Sequence, residues 1–295
     1  MAQEVPSSER EERGSRVKNA PIFIGGAARS GTTLLRAILD SHSRIACGPE
    51  LKIGNVILSQ WQALNVMQAL IAHDAQVVSS EQADALYRQL FLGLLEPYRR
   101  ASGKPRVAEK TPNNVLNFSG LHALFPQSPL IHVIRDGRDV VASLMGQEWV
   151  SPSTGQRMSI TEDAVAACDY WMKAVRKGRE AGARIVKSGG RYIEVHYERL
   201  VRAPEPALSV LFSLIGEAWE PQVLDFHKMQ RADPNSEAIS RPISDRSIGR
   251  WARDLSGRDL ATVIGMAHPL LDELGYLKPL ESAVSKPDVA ARIGP

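Results

Sequence analysis

The run Pro21-Ile22-Phe23-Ile24-Gly25-Gly26-Ala27-Ala28-Arg29-Ser30-Gly31-Thr32-Thr33 constrains this chain more than any other stretch of it. β-Branched and aromatic residues, Ile22 to Ile24, meet two glycines, and an amphipathic stretch from Leu34 to Leu39 follows the threonines. That order reads as a strand, a tight loop and the start of a helix. Such a turn points backbone N–H groups and a helix N-terminus at one place, where a phosphate or sulfate is held.

The spacing from Gly26 to Gly31 fits the triphosphate pattern G-x-x-x-x-G-K-[ST], but Thr32 stands where the lysine belongs. The cation has moved inside the loop, to Arg29. An anion is expected here, and ATP with magnesium is not.

Composition agrees with a small anionic ligand. The net charge of +3 is mildly basic and too weak to indicate nucleic acid. With 295 residues, 43% of them apolar, the chain can bury the core of one α/β domain. Cys47 and Cys168 lie far apart, outside any metal-ligand spacing, and read as reduced thiols. The seven histidines form no HxxxH pair, so no metal site is expected. Met1 to Lys18 lacks the apolar centre of a signal peptide, and no apolar run approaches the roughly 18 residues of a membrane span. The expectation is a soluble, cytoplasmic protein with flexible ends at 1–19 and 281–295 around one domain, 20–280.

Strands are expected at Ile22–Gly25, Arg106–Ala108, Leu130–Ile134 and Tyr192–His196, the third nearly continuous in apolar residues, as a parallel strand covered on both faces requires. Helical patterns cover Thr32–Ser41, Glu81–Arg100, Asn114–Phe125, Gly137–Gln147, Thr161–Ala181, Glu205–Ile215 and Arg258–Leu274. Strands separated by helices of this length imply βαβ units and a parallel sheet. Gly146–Ile160 and residues 229–250 read as surface loops of the kind that carry binding segments. Ligands of such sheets sit beyond the carboxyl ends of the strands.

A second informative run is Leu130-Ile131-His132-Val133-Ile134-Arg135-Asp136-Gly137-Arg138-Asp139, followed by Ser143 about two helical turns on. An arginine at a strand end can grip a phosphate with its planar fork, and a serine hydroxyl adds a neutral donor. The plainer alternative pairs Arg135 with Asp136, Asp139 or another carboxylate and leaves Ser143 to pack.

Ala28-Arg29-Ser30-Gly31-Thr32-Thr33 and the Arg135…Ser143 pair resemble the two phosphate-binding segments of the PAPS (3′-phosphoadenosine 5′-phosphosulfate)-dependent sulfotransferases. The likeness is nearest to the tyrosylprotein sulfotransferase branch. It continues through Arg36-Ala37-Ile38-Leu39-Asp40-Ser41-His42, Cys47-Gly48-Pro49-Glu50, Glu109-Lys110-Thr111-Pro112, Leu124-Phe125-Pro126, Tyr197-Glu198-Arg199-Leu200 and Leu274-Gly275-Tyr276. It runs from about residue 20 to 277 and is interrupted over 55–105. The resemblance implies a P-loop-type three-layer α/β fold, a central parallel sheet flanked by helices, and transfer of a sulfuryl group from PAPS to a hydroxyl-bearing acceptor. It also implies roles: Arg29, Ser30, Gly31, Thr32 and Thr33 hold the 5′-phosphosulfate, Arg135 and Ser143 the 3′-phosphate, and Tyr197 lies near the adenine. A sulfuryl group carries less charge than a phosphoryl group, so protein donors can supply the stabilisation that a triphosphate site takes from magnesium.

Glu50 is the candidate base and Lys110 the candidate donor to the leaving group, Glu109 being the lysine's plain alternative partner. The resemblance departs here: that branch has two consecutive acids of which the first is the base, and Pro49 occupies that position. His42 is an outside candidate for the base. Asn113 and Asn114 can bind substrate or cap the next helix, and the cap is the favoured reading. Residues 241–251 are loosely similar to the late basic loop that closes over the nucleotide, with Arg246 and Ser247 as binding candidates and Trp251 a packing residue beneath. Trp171 reads as core. Two other readings stay open: a P-loop kinase of small molecules, and a non-catalytic nucleotide-binding relative.

Overall fold

The computed structural model describes residues 19–52, 54–70, 78–229, 239–277 and 291–293. Its centre is a six-stranded sheet in the order β2-β3-β1-β4-β5-β6. Strands β1 (Ile22–Gly25), β2 (Ile45–Cys47), β3 (Arg106–Lys110), β4 (Leu130–Ile134) and β5 (Arg191–His196) run parallel. β6 (Ala291–Ile293) closes the edge antiparallel to β5, within the stretch expected to be a flexible end.

Alternation along β1 divides the core. Ile22 and Ile24 pack on one face with Leu35, Ile38, Leu208 and Phe212, while Phe23 packs on the other with Phe91, Phe125 and Trp171. Both faces are buried, which explains the unbroken apolar run of β4. Trp171, fully buried, donates from its indole N–H to the carbonyl of Arg135, 3.0 Å away, and so fixes the end of β4.

The helices are α1 (Thr32–Ser41), α2 (Gly54–Leu70), α3 (Ser80–Ser102), α4 (Phe118–Leu124), α5 (Gly137–Met145), α6 (Ala164–Lys187), α7 (Tyr197–Arg202), α8 (Pro204–Ile215), α9 (Trp251–Asp254) and α10 (Gly257–Glu273). The start of α3 is a capping box: Ser79 accepts from Gln82 N, and the Gln82 side chain accepts from Ser79 N. No helix among the described residues is long and apolar enough to cross a membrane.

Three local expectations are corrected. β2 is an additional strand, only three residues long. The helix expected from Asn114 begins as a 3₁₀ turn, Pro112–Asn117, before α4. Asn114 caps nothing; its amide donates to the carbonyl of Ile24, 3.0 Å away, and to buried Glu109.

β3 lies on one side of β1 and β4 on the other, so the chain crosses over β1 between them. The carboxyl ends of these strands therefore diverge into a crevice, the place where open parallel sheets bind ligands.

Candidate active site

The loop after β1 is shaped for close approach. Gly31 has φ of 97°, and a Cβ there would meet the Tyr197 ring at 2.5 Å, so glycine is required. Arg29 also adopts positive φ, 71°. Gly31 is the N-cap of α1, no side chain caps that helix, and its first turn holds no acid. Its first N–H groups and the positive end of its dipole are thus directed at the crevice.

A cavity of about 250 Å³ opens at this point, lined among others by Arg29, Thr32, Thr33, Arg135, Ser143 and Tyr197. The two segments singled out in the sequence meet inside it. Arg29 Nε donates to Ser143 Oγ at 3.0 Å, and Arg135 donates to the carbonyl of Arg29 at 3.2 Å. The Arg135 guanidinium lies 4.4 Å from the centre of the Tyr197 ring, which holds it flat. Arg250 joins them, its guanidinium 3.4 Å from Ser143 Oγ.

Three guanidiniums in one half-closed space repel. Burial lowers the pKa of Arg29, and the neighbouring charges of Arg250 and Arg135 lower it further. Of the nearby acids, Asp139 lies 3.5 Å from Arg135 and Asp254 2.7 Å from Arg250. Asp139 is also occupied elsewhere: it accepts from the backbone N–H of Gly249 at 3.0 Å and of Trp251 at 3.1 Å. Arg135 Nε and Ser30 Oγ are buried without a hydrogen-bond partner among the described residues. Of the loop residues expected to bind, Arg29, Gly31, Thr32 and Thr33 line the cavity, whereas Ser30 is buried and does not. The guanidiniums of Arg29, Arg135 and Arg250 give this cavity a field that favours anionic groups.

A second cavity, about 280 Å³ between α6, β5 and α10, offers no comparable field. Its Arg179 is matched by Glu194 at 3.1 Å and by Glu273.

At the other end of the loop stand Lys110 and Glu50. Lys110 closes β3, is 1% exposed, and donates to Glu50 and, at 3.3 Å, to Thr33 Oγ1. Its partner is Glu50 and not Glu109, whose carboxyl is buried with Thr111, Asn114 and the N–H of Leu51; burial raises the pKa of Glu109. Glu50 keeps 24% of its side chain exposed, so the pair sits at the boundary between the loop and solvent. Tyr170 of α6 borders the same place: its hydroxyl accepts from the backbone N–H of Ala28 at 2.9 Å. His42 lies elsewhere, fully buried, its Nε2 3.0 Å from the carbonyl of Ala218.

The late loop differs in detail from the expectation. Ser247 lines the cavity and its carbonyl accepts from Arg135, but Arg246 is exposed and takes no part in the lining. Arg241 and Arg250 line it instead. A turn through Gly249, at φ of 71°, carries Arg250 inward, and Asp139 fixes that turn. Trp251 packs its ring beneath the guanidinium of Arg138, 4.5 Å away. Arg250 was not singled out from the sequence, and Asp139 only as an alternative partner of Arg135, a pairing present here at 3.5 Å. The one available signal for Arg250 was that it immediately precedes a packing tryptophan.

Comparison with known proteins agrees with this geometry. A model described as "Sulfotransferase family" matches residues 21–221. Protein-tyrosine sulfotransferase 2 of Gallus gallus is 27% identical over 267 residues, covering 86% of this chain and 69% of that protein. The sulfotransferase domain of the Synechococcus PCC 7002 olefin synthase superposes with a TM-score of 0.56 at 22% identity, over 84% of this chain and 95% of that one. A mouse sulfotransferase complexed with PAP gives a TM-score of 0.51 at 12% identity, over 89% and 90%.

Proposed function

The chain belongs to the sulfotransferase family, and we propose that it transfers the sulfuryl group of PAPS to an acceptor hydroxyl presented beside Glu50 and Lys110, a tyrosyl phenol being the first acceptor to test. The observation that carries this reading is the meeting of the two basic segments through Arg29 and Ser143, 3.0 Å apart in one cavity. PAPS supplies an electrophilic sulfur whose bond to the 5′-phosphate oxygen breaks as the acceptor oxygen attacks.

The protein's part is positioning and electrostatics. Arg135, held by Tyr197, and Ser143 would grip the 3′-phosphate, and the first turn of α1 with Thr32 and Thr33 would hold the 5′ end. Arg29 reaches from the loop to Ser143, so it would span both ends. Lys110, buried next to Thr33, would donate to oxygen that gains charge as the sulfur leaves. Glu50 would accept the acceptor's proton, its carboxylate oriented by Lys110. Pro49, at the position of the branch's usual base, cannot take a proton, so in this reading the adjacent Glu50 takes it, a base elsewhere being the alternative. The kinase alternative lacks its loop lysine, since Thr32 occupies that position.

Incubation with sulfur-35-labelled PAPS and a panel of tyrosyl peptides, simple phenols and alcohols tests this reading. Label should pass to a hydroxyl acceptor with wild type and fall at least 100-fold with Glu50→Gln. Binding of adenosine 3′,5′-bisphosphate without transfer to any acceptor would instead favour the non-catalytic alternative.

A further inference from the structure

The run Leu274-Gly275-Tyr276 follows α10, and none of its residues lines the nucleotide cavity. Its local geometry has a plain cause. Past the end of the helix, Gly275 turns into the left-handed region at φ of 80°. The N–H of Gly275 then donates to the carbonyl of Asp272 at 2.9 Å, and that of Tyr276 to the carbonyl of Leu271 at 2.8 Å. This is a Schellman end, for which glycine is suited because the left-handed conformation strains no Cβ. The reversal delivers Tyr276 to Glu198 of α7, whose carboxylate accepts from the tyrosine hydroxyl at 3.1 Å.

Glu198 leads to the nucleotide site. Its other carboxylate oxygen accepts from the backbone N–H of Asp136 at 2.9 Å. The carbonyl of that same peptide group, the carbonyl of Arg135, accepts from Trp171 at 3.0 Å. The planar peptide after Arg135 is therefore gripped on both edges, by α6 and by α7, and its plane helps to fix where the Arg135 side chain leaves the backbone. Tyr197, the residue before Glu198, stacks on the Arg135 guanidinium at 4.4 Å. One dipeptide thus holds Arg135 at its root and at its tip, and Tyr276 holds the dipeptide.

Tyr276 acts at a second point as well. Its carbonyl accepts from Arg138 at 2.8 Å, and Arg138 in turn pairs with Asp136 at 2.6 Å. Both of its contacts therefore converge on Asp136. Glu198 and Asp136 are buried, where hydrogen bonds in a connected network reinforce one another.

We propose that Tyr276 is a positioning residue for the 3′-phosphate grip: through Glu198 it holds the Arg135–Asp136 peptide, so that the Arg135 guanidinium is preset for a phosphate on the ribose 3′ position. The proposal rests on the assignment of Arg135 to that phosphate. Presetting a group lowers the ordering cost of binding. Its loss should weaken ligands that carry the 3′-phosphate and spare those that lack it.

Calorimetric titration of the full chain with adenosine 3′,5′-bisphosphate and with adenosine 5′-monophosphate tests this. Tyr276→Phe keeps the ring and removes one hydrogen bond, so bisphosphate affinity should fall about 3- to 10-fold while monophosphate affinity stays the same. The KM for PAPS should rise by a similar factor with kcat within about twofold of wild type. In an Arg135→Ala background the same substitution should cause no further loss, because it acts through Arg135. A Tyr276→Phe chain that keeps the full wild-type preference for the bisphosphate overturns the proposal. So does an equal loss for both nucleotides, which would make Tyr276 a structural prop, or an undiminished further loss in the Arg135→Ala background. A wild type without any preference for the bisphosphate overturns the assignment of Arg135 itself, and this proposal with it.

Discussion

Arg29 Nε lies 3.0 Å from Ser143 Oγ, joining the loop after β1 to the helix after β4 across 114 residues of chain. Arg135 reinforces that junction through the Arg29 carbonyl. The two basic segments are therefore one unit, and their variants should not behave independently.

Arg29→Ala should lower kcat at least 100-fold, because the residue reaches both ends of the nucleotide site. Arg135→Ala should act mainly on nucleotide affinity. A charge-assisted hydrogen bond contributes roughly 1.5–3 kcal/mol, so the apparent Kd should rise roughly 10- to 100-fold. The double variant should lose less than the sum of the two. Steady-state kinetics with PAPS as the varied substrate checks all three.

Gly31→Ala should abolish nucleotide binding while leaving the sheet intact. The added Cβ would lie 2.5 Å from the Tyr197 ring at a backbone φ of 97° that L-residues rarely adopt. Tyr197 would be driven off Arg135, removing the stack that holds the guanidinium. Thermal shift with adenosine 3′,5′-bisphosphate should show stabilisation of wild type and none of the variant.

Asp139→Asn should loosen the late loop. The carboxylate receives the N–H groups of Gly249 and Trp251 and faces Arg135 at 3.5 Å. With the charge removed, the turn that brings Arg250 to Ser143 loses its anchor. Faster proteolytic cleavage within 240–250 and a several-fold rise in KM for PAPS are the expected results.

How much of this was visible in the sequence varies with the physics of each residue. β1 and β4 were legible because strands buried on both faces show continuous apolar runs. β2 was not, since three residues give no period. Lys110 was recognised, but its partner could have been chosen better: neighbours in a strand point to opposite faces, so Glu109 and Lys110 cannot readily pair. Asp139 was named only as an alternative partner of Arg135, which it is at 3.5 Å. Arg250 and the hold of Asp139 on the late loop were missed because a loop has no periodicity and the link from Asp139 to Gly249 spans 110 residues. The Arg29–Ser143 contact itself could be anticipated only from resemblance; neither residue's neighbours in sequence announce it.

A pH effect follows from Glu198, which accepts from the N–H of Asp136 at 2.9 Å and from the Tyr276 hydroxyl at 3.1 Å. Burial raises its pKa from 4.5 to about 7. The folded protein thus binds this proton more tightly than the unfolded chain. Its contribution to stability is fully present below about pH 4.5 and is lost as pH rises toward 7. Relative to Glu198→Gln, wild-type melting temperature should fall across that interval and run parallel above it.

The central claim is that a single mononucleotide touches both basic segments, and isothermal titration calorimetry tests it most directly. Adenosine 3′,5′-bisphosphate should bind wild type at least 10-fold more tightly than adenosine 5′-monophosphate, and Arg135→Ala should reduce that preference to near unity. Equal affinity of wild type for the two nucleotides, or a preference for ATP with magnesium over both, would contradict it.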